Sequence, residues 1–331
     1  MSAASRKQPP HPQVTQIELT PDELTSRKVG SHHLQAAVEA LHKDGMVVLS
    51  NAVDPAHLDK LNERMVPEAK ELYSRATTHR NFGNETGNIQ QEPVLEDGYI
   101  FDDVLANPWA TDITQCMFGP KPSLRFYSAN TAFRATGRQP PHIDIDFAFP
   151  AVPFGYCVNI NLVATSAENG ATEVWLGSHL NDTTTGVLVE TDPDTGHRRI
   201  RADLLDRRRN ELGCPPVQPS LPKGALVIRD FRLWHAGMPN RTDEPRVMLV
   251  SVQFPSWYRS NLKMKLPASI KDKMRWGDLV SSIRFARRTF PSFFALDEAS
   301  LESELIPCAE WMPEGYDYLK GAHDHDFTLL P

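Results

Sequence analysis

Apolar residues fall at helical spacing early in the chain and in strand-like runs further on. In SHHLQAAVEALHKDG (31–45), Leu34, Val38 and Leu41 recur every three to four residues, Ser31 stands where an N-cap belongs, and Gly45 follows the end. That pattern predicts a helix. MVVLSNAV (46–53) is a short apolar run of the length a buried strand needs. DPAHLDKLNERMVPEAKELYSRA (54–76) offers Asp54 as a cap, Pro55 at the first helical position, and Leu58, Leu61 and Met65 on one face. The first 75 or so residues therefore predict helix, strand, helix.

From about 122 to 255 short apolar runs alternate with Gly, Pro, Asn and Asp breaks. YCVNINLVAT (156–165) sets Tyr156, Val158, Ile160 and Leu162 on one face and Asn159 and Asn161 on the other. ALVIRD (225–230) and RVMLVSVQF (246–254) are further strands. Many short strands between turn signals predict a sandwich or barrel. After 260, ASIKDKMRWGDLVSSIRFARR (268–288) predicts a return to helix. Residues 1–20 are polar and proline-dotted, the texture of a flexible arm. The expected organisation is that arm followed by one domain over 21–331, its β core at 122–255 buttressed by helices on both sides, with no internal repeat.

Composition narrows the function classes. The 331 residues are 40% hydrophobic and 23% charged, enough for one large globular core. A net charge of -7 argues against a nucleic-acid partner. No apolar run approaches the ~20 residues of a bilayer span, so no membrane partner is expected. The opening MSAASRKQPPHPQ lacks the apolar centre of a secretory signal. Cys116, Cys157, Cys214 and Cys308 stand far apart, with no CxxC pair, which suits reduced thiols and a cytoplasmic protein. KVGSHHLQA (28–36) also resembles an N-terminal peroxisomal address, but the same residues make an ordinary helix start.

The stretch QPPHIDIDFAFP (139–150) carries the chemistry. If it is extended, His142, Asp144 and Asp146 share one face, because side chains repeat every two residues. Two of the three can grip a metal, and the spacing alone does not say which two. A third ligand must come from a distant element. His235, between the strands of LPKGALVIRDFRLWHAGMPNRTDEPRVMLVSV (221–252), suits that role. Two histidines and a carboxylate on one octahedral face form the site of non-haem Fe(II) oxygenases. Arg246 lies eleven residues beyond His235 at the head of the next strand. A planar guanidinium there matches the far carboxylate of 2-oxoglutarate, a common two-electron reductant for such enzymes. The neighbouring Arg229 and Arg241 are not expected to share this task. HDHDF (323–327) imitates a metal site but reads as a solvated tail, and HRRIRADLLDRRR (197–209) reads as a solvated helix.

With HID (142–144), ENGATEVWLGSH (168–179) and WHAGMPNRTDEPR (234–246), the sequence resembles the phytanoyl-CoA dioxygenase family of Fe(II)- and 2-oxoglutarate-dependent enzymes, over about 44–255. The resemblance implies a double-stranded β-helix, a cupin-like jelly roll with helical buttresses. It implies His142, Asp144 and His235 on Fe(II), Arg246 on 2-oxoglutarate, and Gln139 and Thr172 near that cosubstrate, with O2 as the oxidant. It leaves Asp146 beside the metal shell or facing substrate, and gives His179 a structural role. Phe147 and Phe133, with Asp146, are the candidate substrate contacts. The implied activity is oxidation of a C–H bond in a small apolar molecule, as in the tailoring of secondary metabolites. An acyl-CoA 2-hydroxylase is the alternative, and a jelly-roll binding protein without turnover is the second. Asp144 argues against halogenation, which needs that ligand position for chloride. Partners are expected to be a small-molecule substrate and, as oligomer, a homodimer.

Overall fold

A computed structural model describes residues 13–76, 78–145, 149–180, 188–193, 196–258, 264–267, 270, 273–281 and 283–286. The first helical patterns form as their sequences predict. Helix α2 (Ser31–Asp44) buries Ala37, Ala40 and Leu41, and α3 (Pro55–Ser74) begins with the Asp54 side chain accepting the Ala56 N–H at 2.9 Å. The N-cap of α2 is Gly30 rather than Ser31. Helix α3 buries Leu58, Leu61 and Met65, each worth roughly 1.5–3 kcal/mol of transfer free energy.

These helices, with α5 (Pro108–Phe118), pack on the outer face of an eight-stranded sheet. Its strands are β1 (Gln16–Ile17), β2 (Met46–Leu49), β3 (Asn88–Gln91), β4 (Ser123–Ala132), β5 (Tyr156–Asn161), β9 (Leu226–Asp230), β11 (Arg246–Phe254) and β13 (Val280–Ser281). They run in the order β1-β2-β9-β5-β11-β4-β13, with β3 also pairing β4. The alternation read in 156–162 is realised. Tyr156, Val158, Ile160 and Leu162 join the helix-facing core, whereas Cys157 faces inward among Phe126, Trp175, Trp234, Val250 and Val252.

A smaller antiparallel layer faces this inner side. Strand β10 (His235–Ala236) pairs β6 (Glu173–Val174), and the ladder extends through His142 opposite His235 and Val217 opposite Val174. Two facing sheets with helices outside form the jelly roll, mainly β with flanking helices. The motif at 168–179 braces the small layer. Ser178 Oγ accepts the Trp234 N–H at 2.8 Å, and the Trp175 N–H donates to the Trp234 carbonyl at 3.0 Å.

His179, at the end of that motif, is buried beneath Gly45, with Nε2 3.2 Å from the His42 carbonyl. Gly45 ends α2 at φ 75°, and its N–H bonds back to the Ala40 and Leu41 carbonyls. A Cβ at this position would lie 2.6 Å from His179 Nδ1. Gly45→Ala is therefore expected to lower stability by roughly 2–5 kcal/mol, from left-handed strain plus overpacking. Chemical denaturation checks this; a variant as stable as the parent would show that the α2–β2 corner relaxes without cost.

Two expectations are corrected. The proposed arm over 1–20 is not all arm: β1 pairs in parallel with β2, and Ile17 and Leu19 are buried. Asn51 fixes Leu19 through both its N–H (2.8 Å) and its carbonyl (2.9 Å), so two well-spaced apolar residues and a sheet edge outweigh local polarity. Residues 1–12 lie outside the described residues. Among the described residues, the helix expected over 268–288 is also not found. Gly277 at φ 57° interrupts the pattern, β13 adds in parallel to the edge of β4, and β12 (Met264–Pro267) pairs β14 (Ile283–Ala286). The β-branched Val280 and Ile283 suit strands, and sheet pairing overrides a weak helical period. The remainder of the expected C-terminal buttress, and the HDHDF stretch, lie outside the described residues.

Candidate metal centre

His142 and His235 meet because their backbones pair reciprocally. The His142 N–H donates to the His235 carbonyl at 2.9 Å, and the His235 N–H returns the bond at 3.0 Å. The two rings lie 4.4 Å apart between centroids. Asp144, two residues after His142, brings Oδ1 to 3.8 Å from His142 Nε2 and 3.3 Å from His235 Nε2. Among the described residues these three offer ligand atoms all within 4.8 Å of one another.

The electrostatics suit a divalent cation. Burial, and next the neighbouring His235, push the His142 imidazole down to about 3, so it is neutral with a lone pair to donate. Its Nδ1 lies 2.8 Å from the Pro140 carbonyl, which places the proton on Nδ1 and leaves Nε2 toward Asp144. His235 Nδ1 lies 3.1 Å from the Leu233 carbonyl and 3.0 Å from Arg229 Nη1, and its Nε2 faces Asp144. Burial alone would raise the Asp144 carboxyl, but His235 and Arg229 hold it well below the usual carboxylate range. Two imidazoles and a carboxylate are the donor set of a non-haem Fe(II) site.

Arg246 begins β11 and is 5% exposed. It donates through Nε to the Asn169 carbonyl (3.0 Å), through Nη1 to Asn161 Oδ1 (2.8 Å) and through Nη2 to the Gly170 carbonyl (2.8 Å). Burial pushes its pKa down to about 10, and among the described residues no carboxylate lies within ion-pair distance of it. Three of the five N–H donors of a guanidinium are thus used, by neutral acceptors, and the charge lacks an anion.

The other expected positions differ in fate. Gln139 Oε1 accepts the Gly237 N–H at 2.8 Å, and its own N–H donates to the Gly237 carbonyl at 2.9 Å, clamping the His142 segment to the His235 segment. Thr172 is half-buried between Gly170, an Arg246 acceptor, and Glu173 of β6. Asp146 and Phe147 lie outside the described residues. Phe133 does not stand beside the triad. It stacks on Tyr73 at 4.0 Å in a separate cluster with Ala69 and Ile89, because α3 presents an aromatic partner there. Arg229 is no bystander, since its Nη2 reaches Asp144 Oδ2 at 2.7 Å. Arg241 sits exposed in the turn.

Sequence reading missed Phe82. It is a non-glycine residue at φ 61°, and its ring lies 4.6 Å from that of His142 and 5.3 Å from that of His197. Such a conformation costs of order 1–3 kcal/mol and persists only where its surroundings enforce it. Here Thr86 Oγ1 ties the Asn81 carbonyl (2.7 Å) and the Gly83 carbonyl (3.0 Å), and Asn81 Nδ2 reaches Asn130 Oδ1 (3.2 Å). Beside it, one row of the inner face is half-buried: Gln90, Asn130, Met248 and Asn161, side by side in register. A separate cavity of about 580 Å³, lined by His57, Phe101, Trp109 and Lys273 among others, does not include the triad. No helix among the described residues is long and apolar enough to cross a membrane.

The family model described as phytanoyl-CoA dioxygenase (PhyH) matches residues 41–248. The dioxygenase af480 of Aspergillus fumigatus is 27% identical over 227 residues, 62% of this chain and 66% of that protein, so just under two thirds of the relative is spanned. The epimerase SnoN, solved with Fe3+, alpha ketoglutarate and nogalamycin RO, shares the fold with a TM-score of 0.50 at 22% identity, over 70% of this chain and 88% of SnoN. Because the family model covers well over half of its length, including the whole histidine–aspartate–histidine cluster and Arg246, the chain belongs to the phytanoyl-CoA dioxygenase family.

Proposed function

We propose that the chain is an Fe(II)- and 2-oxoglutarate-dependent dioxygenase that oxidises a C–H bond of a small, largely apolar and uncharged molecule, by hydroxylation, desaturation or ring formation. The observation that carries the reading is the pairing of two features in the interior between the two sheets: the three converging donors and the buried guanidinium of Arg246, which meets no carboxylate among the described residues. His142, Asp144 and His235 would hold Fe(II). Bound there, iron supplies O2 activation coupled to decarboxylation of 2-oxoglutarate.

The remaining tasks fall to the protein. Arg246 binds the far carboxylate of 2-oxoglutarate, a charge-assisted contact in a site from which its own burial has excluded water. Gln139, with only its oxygen bonded among the described residues, turns its amide N–H toward the cosubstrate. Thr172 adds a hydroxyl on the same side. Phe82 shields the His142 side of the metal, and the row Gln90, Asn130, Met248 and Asn161 receives the substrate. That row carries amides and a thioether but no charge, which favours a neutral secondary metabolite over an acyl-CoA and its phosphates.

Mass spectrometry tests this with Fe(II), 2-oxoglutarate and O2 over a panel of neutral oxygenated natural products and acyl-CoA thioesters. The expected result is a neutral product that has gained one oxygen or lost two hydrogens, with matching succinate. Succinate coupled to acyl-CoA oxidation alone would overturn the substrate class, and no succinate under any condition would favour a binding protein.

A further inference from the structure

Arg229 lies in β9 opposite Cys157, and its side chain is only 7% exposed. A charge buried this deeply inside the jelly roll needs an anion. Nη2 donates to Asp144 Oδ2 at 2.7 Å, across 85 residues of sequence, and Nη1 lies 3.0 Å from His235 Nδ1. The second contact matters less with metal bound. A metal on Nε2 requires the proton on Nδ1, which then points to the Leu233 carbonyl and leaves Arg229 to the carboxylate. The two oxygens of Asp144 are therefore divided. Oδ2 accepts from Arg229 Nη2, with Cys157 Sγ at 3.9 Å, while Oδ1 is the oxygen nearer both imidazole Nε2 atoms, at 3.3 and 3.8 Å.

We propose that Arg229 is a positioning residue that makes Asp144 a one-oxygen metal ligand. The inference rests on the metal reading above and adds to it a residue outside the ligand set. It has a consequence for the reaction. Three single-atom ligands would leave an octahedral metal three positions, enough for 2-oxoglutarate and O2. A chelating Asp144 would take one of them. Arg229 fixes the carboxylate before any metal arrives, so little ordering remains when it binds.

Calorimetric titration of the metal-free protein with Co(II) tests the idea without turnover. Arg229→Met should raise the Co(II) Kd by about ten- to a hundred-fold, the usual cost of losing a hydrogen-bond partner behind a ligand. The same substitution placed in an Asp144→Asn background should change the Kd by less than about threefold, because its effect travels through the carboxylate. Arg229→Lys, which keeps the buried charge and one N–H toward Oδ2, should recover most of the affinity, and it replaces Arg229→Met in the cycle if the latter does not fold. Unchanged Co(II) affinity in a folded Arg229→Met, or an equal loss in both backgrounds, overturns the inference. A parent chain that takes no Co(II) overturns the metal reading itself.

Discussion

Replacing either His142 or His235 with alanine is expected to abolish iron binding and turnover together. Each imidazole supplies one of three donors, and the reciprocal backbone bonds between residues 142 and 235 survive the substitution, so the fold remains while the site is lost. Asp144→Ala is the informative contrast. It leaves two imidazoles that can retain metal but removes the anion that balances it and the partner of Arg229, and oxygenation should fail. Asp146→Asn should keep both metal and turnover. Metal content after anaerobic Fe(II) loading, measured beside succinate release, checks these four variants and Asp144→Asn. Equal metal loss in Asp146→Asn and Asp144→Asn would mean that the wrong acid had been assigned.

Arg246→Ala has an effect of comparable size on the other component. Its guanidinium is buried, and removing one partner of a buried charge pair costs about 3–5 kcal/mol. The requirement for 2-oxoglutarate should therefore rise by roughly a hundred- to a few-thousand-fold, since each 1.4 kcal/mol or so is a factor of ten. Iron binding should persist, because Arg246 is not among the metal donors. Part of the loss will come from the loop at 169–170, which Arg246 fastens through two carbonyls. Arg246→Lys separates the contributions: it keeps the charge, loses the fork, and should fall between parent and alanine. Arg241→Ala is the proper control, being exposed in the turn. Arg229 cannot serve as one, given its bond to Asp144.

The candidate metal cluster was partly legible in the sequence: local rules put His142, Asp144 and Asp146 on one face, and the family resemblance chose between the two acids. A period of two places His142 and Asp144 on one face, and a histidine at the start of a short strand can reach the same point. The helices at 31–44 and 55–74 were legible for the same reason, each with an end signal and an apolar stripe. What was not legible depends on tertiary pairing. Phe82 has no pattern around it; its importance lies in a left-handed backbone held by Thr86 and a ring placed against His142. Phe133 looked like a pocket residue from its nearness to the motif, yet Tyr73 on α3 claims it. Of the strands after residue 260, β13 depends on the edge of β4, and β12 and β14 depend on each other. Arg229 did leave a signal: a charged residue inside the apolar run ALVIRD must find an anion, and Asp144 was the acid with a place inside the same barrel.

Fe(II) on His142, Asp144 and His235 and 2-oxoglutarate on Arg246 are expected to occupy the interior between the two sheets at the same time. The most direct test is the visible absorption of the protein as Fe(II) and then 2-oxoglutarate are added without oxygen. A weak charge-transfer band should appear only when both are present. It should be missing in His235→Ala at any 2-oxoglutarate concentration, and in Arg246→Ala it should return only at greatly raised concentration. A parent protein that binds both components and shows no band, or a His235→Ala variant that shows the full band, would contradict the account.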